Sequence, residues 1–521
     1  MPYSAHTGSD STKQWLLAPA VAGGLALLAV AAGWRGSDLP AHIYRVGLFH
    51  RQGLTLWDPQ WYGGQWTLSY SVLFPPTAGL LGIQVTEVLS AAGAAWAFDQ
   101  LVVHNFGRSA RVGSLLFAVG TLAQVAIGQL PFLMGEALGL AAWWALTRRR
   151  QWLGAVLAAA ASMSSPLAGA FLLLASATTV LVSPAEDRRR ACVVAFAASA
   201  PLLGVWALFP GSGIMPFPAG QLLSLLAMLG IALVVVPSRH AALRVGVGLY
   251  GVAAVVSYVA ATPMGANVSR LAAAVGAPLL LCAVWRTRRW LGIAALVPLM
   301  VLQWNPAYAT VTTERSDPST RPSYFRPLLS YLGRHAEPLG RVEIVPTELH
   351  WEAAYTAPDL LLARGWERQL DRADNPIFYS DEQLDGRSYL RWLLDNGVRF
   401  VALPDVHLDY AAQDEGRLLH SGVAGLVPVW HDRHWRVFEV AGSSGLVDGP
   451  ARLVHMNSSQ IDLQADATGT AILRVRYSPR WTIAGDAGCL MKSSGDWLAV
   501  QIRRPGPLRL GLSLLGGQDC D

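Results

Sequence analysis

Asp38, His42 and Arg45 stand at i, i+4 and i+7 in Gly36-Ser37-Asp38-Leu39-Pro40-Ala41-His42-Ile43-Tyr44-Arg45, directly after the first apolar segment. If that stretch is helical, the three side chains share a face. An acid beside an imidazole and a guanidinium suits proton transfer, because a carboxylate within hydrogen-bond reach of a hydroxyl is a general base. A plainer role fits the same residues: Asp38 or Ser37 capping a helix that takes Pro40 in its first turn. Both readings of Asp38 stay open on the local pattern.

The loop from Arg35 to Tyr70 contains Trp57-Asp58-Pro59-Gln60-Trp61-Tyr62-Gly63-Gly64-Gln65-Trp66. Aromatic faces stack on sugar rings, and they also populate membrane interfaces. Trp57, Asp58, Trp61 and Tyr62 are therefore candidate ligand contacts, with Asp58 also readable as a turn residue before Pro59. Glu136, in Gln129-Leu130-Pro131-Phe132-Leu133-Met134-Gly135-Glu136, is an ionisable group in an apolar segment; it faces a cavity or snorkels to an interface. Glu87 and Asp99 read as internally paired or as lying at the depth of the headgroups. Asn267 and Arg270 lie in Pro263-Met264-Gly265-Ala266-Asn267-Val268-Ser269-Arg270. A guanidinium at that end of a span matches phosphate oxygens, or else pairs with a loop acid.

Further on, Glu348-Leu349-His350-Trp351-Glu352 and Arg364-Gly365-Trp366-Glu367-Arg368 mix acids, bases and rings. His350, Glu352, Arg364 and Arg368 are candidates to line a site, against a solvated surface as the bland alternative. The spacing around His350 matches no standard zinc ligand set, so no metal site is predicted. The chain has no GxGxxG, no Walker lysine motif and no nucleophile elbow.

These groups must be positioned largely by membrane helices. Of 521 residues, 52% are hydrophobic and 14% charged, and the mean hydropathy is +0.33. Soluble domains carry about 25% charged residues. The net charge of +5 resides in short basic runs between apolar segments, which sets membrane orientation and gives no basis for nucleic-acid binding. Apolar segments fall at 15–33, 71–104, 112–130, 131–146, 152–163, 165–183, 191–209, 220–236, 243–260, 271–285 and 290–303, so about eleven spans are expected. Pro75-Pro76 breaks the second, and Ser164-Ser165-Pro166 splits 152–183 into a pair. Trp34-Arg35-Gly36 after the first segment is not a small-residue cleavage site.

Basic runs at Arg108 to Arg111, Arg148 to Arg150, Arg188 to Arg190, Arg239 to Arg244 and Arg286 to Arg289 mark cytoplasmic loops. The N-terminus is then inside, and 34–70, 210–219, 261–270 and everything beyond about 304 are outside. After Asn305 the composition turns polar: a linker and short helix over 304–345, helix then strand over 386–404, and alternating strands with Gly-rich turns over 435–515. Three domains are expected: 1–303 spanning the membrane, 304–434 of mixed α/β character, and 435–521 ending as a β-sandwich-like module. Cys192 and Cys282 lie in apolar segments, whereas Cys489 and Cys520 can pair if their region is extracytoplasmic.

Asp38-Leu39-Pro40-Ala41-His42, Trp57-Asp58-Pro59, Gly265-Ala266-Asn267-Val268-Ser269-Arg270 and Tyr477-Ser478-Pro479-Arg480-Trp481 together resemble the GT-C superfamily of membrane glycosyltransferases. The chain is similar to actinobacterial membrane proteins called 6-pyruvoyl-tetrahydropterin synthase-related, and to the membrane portion of mycobacterial arabinofuranosyltransferases. The likeness extends over most of the chain. It implies an inverting transferase of the cytoplasmic membrane that moves arabinofuranose or mannose from a polyprenyl-phosphate donor to a cell-envelope glycan or glycolipid acceptor. Asp38 would be the general base and Arg270 the phosphate partner, with His42 and Arg45 in support and the C-terminal region helping to hold a glycan. The two-acid signature of many GT-C enzymes is absent, since Ser37 and Leu39 flank Asp38; no cofactor is predicted and a divalent metal has no support in the residues. Two other classes remain: a transporter or flippase of lipid-linked glycans, and a non-enzymatic envelope assembly scaffold.

Overall fold

The structure, a computed structural model, describes residues 14–209, 213–285, 289–335, 337, 339–380, 382–513 and 520. The basic run at Arg286 to Arg288 and the start of the loop at 210–219 lie outside the described residues. The chain forms two compact units, one from residues 14–39, 70–209 and 214–315, the other from 40–69 and 316 onward.

The first unit is helical. Among the described residues seven of its helices are long and apolar enough to cross a membrane: Gln14–Ala31, Arg108–Ile127, Leu130–Thr147, Ala185–Leu208, Ala241–Val259, Gly265–Val284 and Trp290–Ser316. An eighth arises if Phe74–Leu81 and Ile83–Phe106 count as one broken span, bent by 112°. The chain is thus a membrane protein. This count is lower than the eleven expected, because Pro166–Val182 and Ala219–Val235 fold as shorter apolar helices and Gln151–Ser164 has only 14 residues. Every apolar segment is nonetheless helical. Ser165 is extended, with φ −151° and ψ 118°, and Pro166 restarts the helix as its missing N–H permits. Small residues make the close contacts: Ala22, Ala26, Ala91, Ala94, Ala95 and Ala118 are buried together, as helix packing without a hydrophobic driving force requires.

The last helix corrects one boundary. Arg289–Ser316 runs through Pro298 and Pro306 without ending, so no linker starts at 304. The longer part of the second unit follows it. One of its cores surrounds a four-stranded sheet in the order Arg341–Ile344, Val398–Pro404, Trp435–Val440, Leu426–His431; the first two strands are parallel and the rest antiparallel. The amphipathic helices Gly386–Asp395 and Gln413–Ser421 bury Tyr389, Trp392, Leu393 and Leu419 against it. Trp435–Val440 therefore belongs to the α/β region, and the β module starts near Val447 rather than at 435.

That module holds two antiparallel four-stranded sheets. In Gln460–Ala465 and Gly469–Arg476 alternate residues are buried, and the inward faces of both sheets share a core with Leu463, Leu473, Val475, Leu498, Val500 and Leu510. Cys489 and Cys520 form a disulfide. Residues 40–69 contribute the helix Leu39–Gln52 and a two-residue strand pair, Trp57–Asp58 with Gln65–Trp66.

Candidate functional site

Asp38 belongs to the helical unit and is held by its backbone. Its N–H donates to the carbonyl of Ile127 at 2.9 Å, at the end of Arg111–Ile127. A Cβ on Gly36 would stand 2.2 Å from the Ile127 carbonyl carbon, so only glycine permits this approach. Gly128 turns the chain at φ +85°, directly against Leu39. Arg270 comes from a separate turn. Gly265 lies so close to Met215 that a Cβ would meet its carbonyl oxygen at 1.8 Å. The Tyr250 hydroxyl donates to the Val268 carbonyl at 2.6 Å and accepts from the Ala272 N–H at 3.2 Å, fixing the turn on both sides of Arg270. Asn267 donates its amide to the Pro263 carbonyl at 3.3 Å, a turn contact.

These two anchored segments bring Arg270 Nη2 to 3.5 Å from Asp38 Oδ2, with the side chains 25% and 23% exposed. The loop acid that pairs with Arg270 is thus Asp38 itself. The pair is partly open to solvent, and its attraction is modest at that exposure. Leu271 and Ala272, immediately after Arg270, line a cavity of about 440 Å³ in the helical unit. Phe98, Phe132, Phe171 and Leu229 make its wall mostly apolar, and Glu136 reaches it. Glu136 accepts from the Gln124 amide at 2.8 Å, so it is cavity-facing rather than snorkelled. Asp99 pairs internally with Arg111 at 3.8 Å.

His42, Arg45, Trp57, Asp58, Trp61 and Tyr62 belong to the second unit, and all are buried there. Arg45 forms an ion pair with Glu367 and its guanidinium stands 5.8 Å from the Trp61 ring centre. Trp61 stacks on Tyr44 at 4.3 Å. Trp57 meets Trp481 edge-on at 5.0 Å inside the β-module core. Asp58 accepts from the Tyr44 hydroxyl at 2.9 Å, from the Gln60 N–H at 3.3 Å and from the Gln65 amide at 3.4 Å. Burial pushes its carboxyl above the usual range, and those hydrogen bonds oppose the rise. Tyr62 donates to the Glu367 carbonyl at 3.3 Å and accepts from its N–H at 2.9 Å. The expectation of an aromatic ligand surface is corrected: these rings fill a core. Tryptophan spacing looks the same for a platform and for a plug, and only the β module reveals which it is.

The remaining candidates also lie in the second unit. Arg364 is enclosed, donating to Glu343 Oε1 at 2.8 Å and paired with Glu415, whose carboxylate also accepts from Tyr389 at 2.6 Å. Its role is structural, and a lining role is corrected. Glu352 accepts from the Thr347 hydroxyl at 2.6 Å and lies 3.2 Å from His350 Nδ1. Arg368 grips Asp409 with two bonds of 2.8 and 2.6 Å, and Asp409 Oδ2 stands 3.4 Å from His350 Nε2. Burial alone would lower the His350 pKa, but bonds to Asp409 and Glu352 outweigh it and raise it. Asp409 is held well below the usual carboxylate range, because His350 and Arg368 outweigh its own burial.

Asp38, Arg270 and Glu136 are therefore the candidates in the helical unit, and only the first two touch. Asp409, Glu343, Glu367 and Glu415 were missed as functional or structural partners; Glu367 alone lies within a stretch that stood out. Among the described residues no group of three or more His, Cys, Asp or Glu side chains is arranged to hold a metal ion. No protein-family model matches the chain, and no curated protein does.

Proposed function

We propose that the chain is an inverting GT-C-type glycosyltransferase of the cytoplasmic membrane, using a polyprenyl-phosphate-linked arabinofuranose or mannose. The Asp38–Arg270 pair carries this reading: a solvent-accessible carboxylate and a guanidinium, anchored by independent turns, next in sequence to residues lining an apolar cavity. The pairing suggests an order of events. Donor phosphate oxygens compete for the Arg270 fork, which holds them more specifically than a single carboxylate oxygen at 3.5 Å does. Asp38 is then released to accept the acceptor hydroxyl proton. The acceptor oxygen attacks the anomeric carbon, the bond from that carbon to the phosphate oxygen breaks, and the lipid phosphate departs with the electron pair. Arg270 stabilises the charge that grows on it. The basic loops support an inside N-terminus and a second unit outside, where an envelope glycan or glycolipid acceptor would be met.

The test is incubation of the purified protein with a panel of polyprenyl-phosphate sugars and mass spectrometry of the products. Turnover lost in Asp38→Asn supports the reading; no turnover with any donor ends it. One observation favours a lipid-linked glycan transporter instead: an apolar cavity inside the helical unit that Glu136 reaches. A flippase would move labelled lipid between leaflets of proteoliposomes without forming a new glycosidic bond.

A further inference from the structure

At the end of the helical unit away from Asp38, two loops pool their charge. Asp38 is tied to Ile127, three residues before the helix Leu130–Thr147 begins. The loops stand at the other end of that helix, about 27 Å along its axis. Arg148, Arg149 and Arg150 link it to Gln151–Ser164, and Arg188, Arg189 and Arg190 lie in the first turns of Ala185–Leu208. The four helices between Leu130 and Leu208 share one core, to which Ala142, Ala158, Leu172 and Val194 each contribute. The Arg149 guanidinium stands 3.5 Å from Glu186 and so joins the two loops. The first loop is a fixed turn: the Arg149 N–H donates to the Leu146 carbonyl and the Arg150 N–H to the Ala145 carbonyl, both at 2.9 Å.

Six arginines meet two acids here, Glu186 and Asp187, which leaves the cluster at a net +4. Arg190 pairs with both acids, with Asp187 at 3.1 Å, whereas Arg148, Arg149, Arg150, Arg188 and Arg189 are exposed. Directly beside them the surface turns apolar. Trp152 is 76% exposed and Val156 66%, four residues apart and so on one face of Gln151–Ser164. The positive-inside rule accounts for the sign of each loop. It does not account for their convergence, nor for a bare indole at the foot of the cluster. A cationic cap above an apolar strip fits a partner with an anionic head and a hydrocarbon tail. A soluble anion would leave the strip uncovered, and a zwitterionic headgroup would bring its own cation against the +4. We propose that this cluster binds an anionic glycerophospholipid. Guanidinium forks from both loops hold its phosphate, and an acyl chain lies along Trp152 and Val156. In the orientation proposed above, that lipid belongs to the cytoplasmic leaflet. The site uses neither Asp38 nor Arg270 and does not rest on the transferase reading.

The test places the full chain in phosphatidylcholine nanodiscs that carry a minor share of either phosphatidylglycerol or phosphatidylcholine with brominated acyl chains. Bromine quenching of Trp152, taken as the difference between wild type and Trp152→Phe, is expected to be at least about twofold greater with the anionic lipid. Native mass spectrometry of the solubilised protein gives the phosphatidylglycerol affinity. Arg150→Gln combined with Arg189→Gln takes one residue from each loop, neither of them in the ion pairs above. It is expected to weaken binding about tenfold or more, at roughly fivefold per arginine. If the double variant lowers the unfolding midpoint, Arg189→Gln alone replaces it, with an expected loss of about fivefold. Excess inorganic phosphate is expected to leave the lipid in place. Equal quenching by the two lipids, undiminished affinity in the folded variants, or displacement by inorganic phosphate overturns the proposal. Asp38→Asn is expected to bind the lipid as wild type does, so lipid binding and sugar transfer can each fail without the other.

Discussion

At the residue scale the central pair is a carboxylate and a guanidinium with a gap between them. An Asp38→Asn variant keeps the shape and loses the base. Transfer is expected to fall by about 10²–10⁴-fold, measured with the native donor, while the unfolding midpoint stays put. Arg364 behaves differently, because its partners cannot reach water. Arg364→Met leaves Glu343 and Glu415 buried without their cation, and chemical denaturation should show a loss of about 3–5 kcal/mol. His350 gives a pH signature. Its folded pKa is raised, so its contribution to stability is complete below about pH 6.5 and is lost as pH rises through the raised value. Stability of the second unit should therefore decline as pH rises from about 6.5 through that raised value, and His350→Gln should flatten that slope. Asp38 and Arg270 were each legible in the chain, one as an acid after a span, the other as a guanidinium at the end of a span. Their pairing was not, because two turns distant in sequence create it through Gly36 against Ile127 and Gly265 against Met215.

At the element scale, the apolar segments include all seven helices long enough to cross a membrane among the described residues, but the expected eleven spans exceed them, and the Pro166 break was readable from the proline itself. Three things were not. The polar turn in composition after Asn305 reads as a linker, yet the helix Arg289–Ser316 continues through Pro306. Trp435–Val440 alternates like any strand, and its neighbour Val398–Pro404 in the α/β sheet is a tertiary fact. The loop 57–66 reads in sequence as a set of ligand contacts, because aromatic density says nothing of what covers it. The glycines there are steric necessities: a Cβ on Gly64, at φ +110°, would meet the Trp57 ring at 2.4 Å. Gly64→Ala should therefore destabilise the second unit by about 2–3 kcal/mol in denaturant titrations. The Cys489–Cys520 bridge spans a separation of 31 residues, and cutting it with Cys520→Ser should cost the β module about 3–4 kcal/mol.

At the scale of the whole molecule, a helical unit of membrane spans is joined to a unit whose two β-containing cores carry a disulfide. A disulfide agrees with an oxidising compartment and so with the orientation that the basic loops favour. Single cysteines at Arg433 and at Arg149, labelled with an impermeant maleimide in intact cells, test that orientation. The first should react at once and the second only after permeabilisation; the reverse would put the second unit inside.

The most direct test of the proposed chemistry is transfer by purified protein from a panel of polyprenyl-phosphate sugars, comparing wild type with Asp38→Asn and Arg270→Lys. The expected result is a new glycoside and free lipid phosphate from wild type, almost none from Asp38→Asn, and a raised donor KM for Arg270→Lys. Product formed at the wild-type rate by folded Asp38→Asn, or no product from any donor, would contradict it.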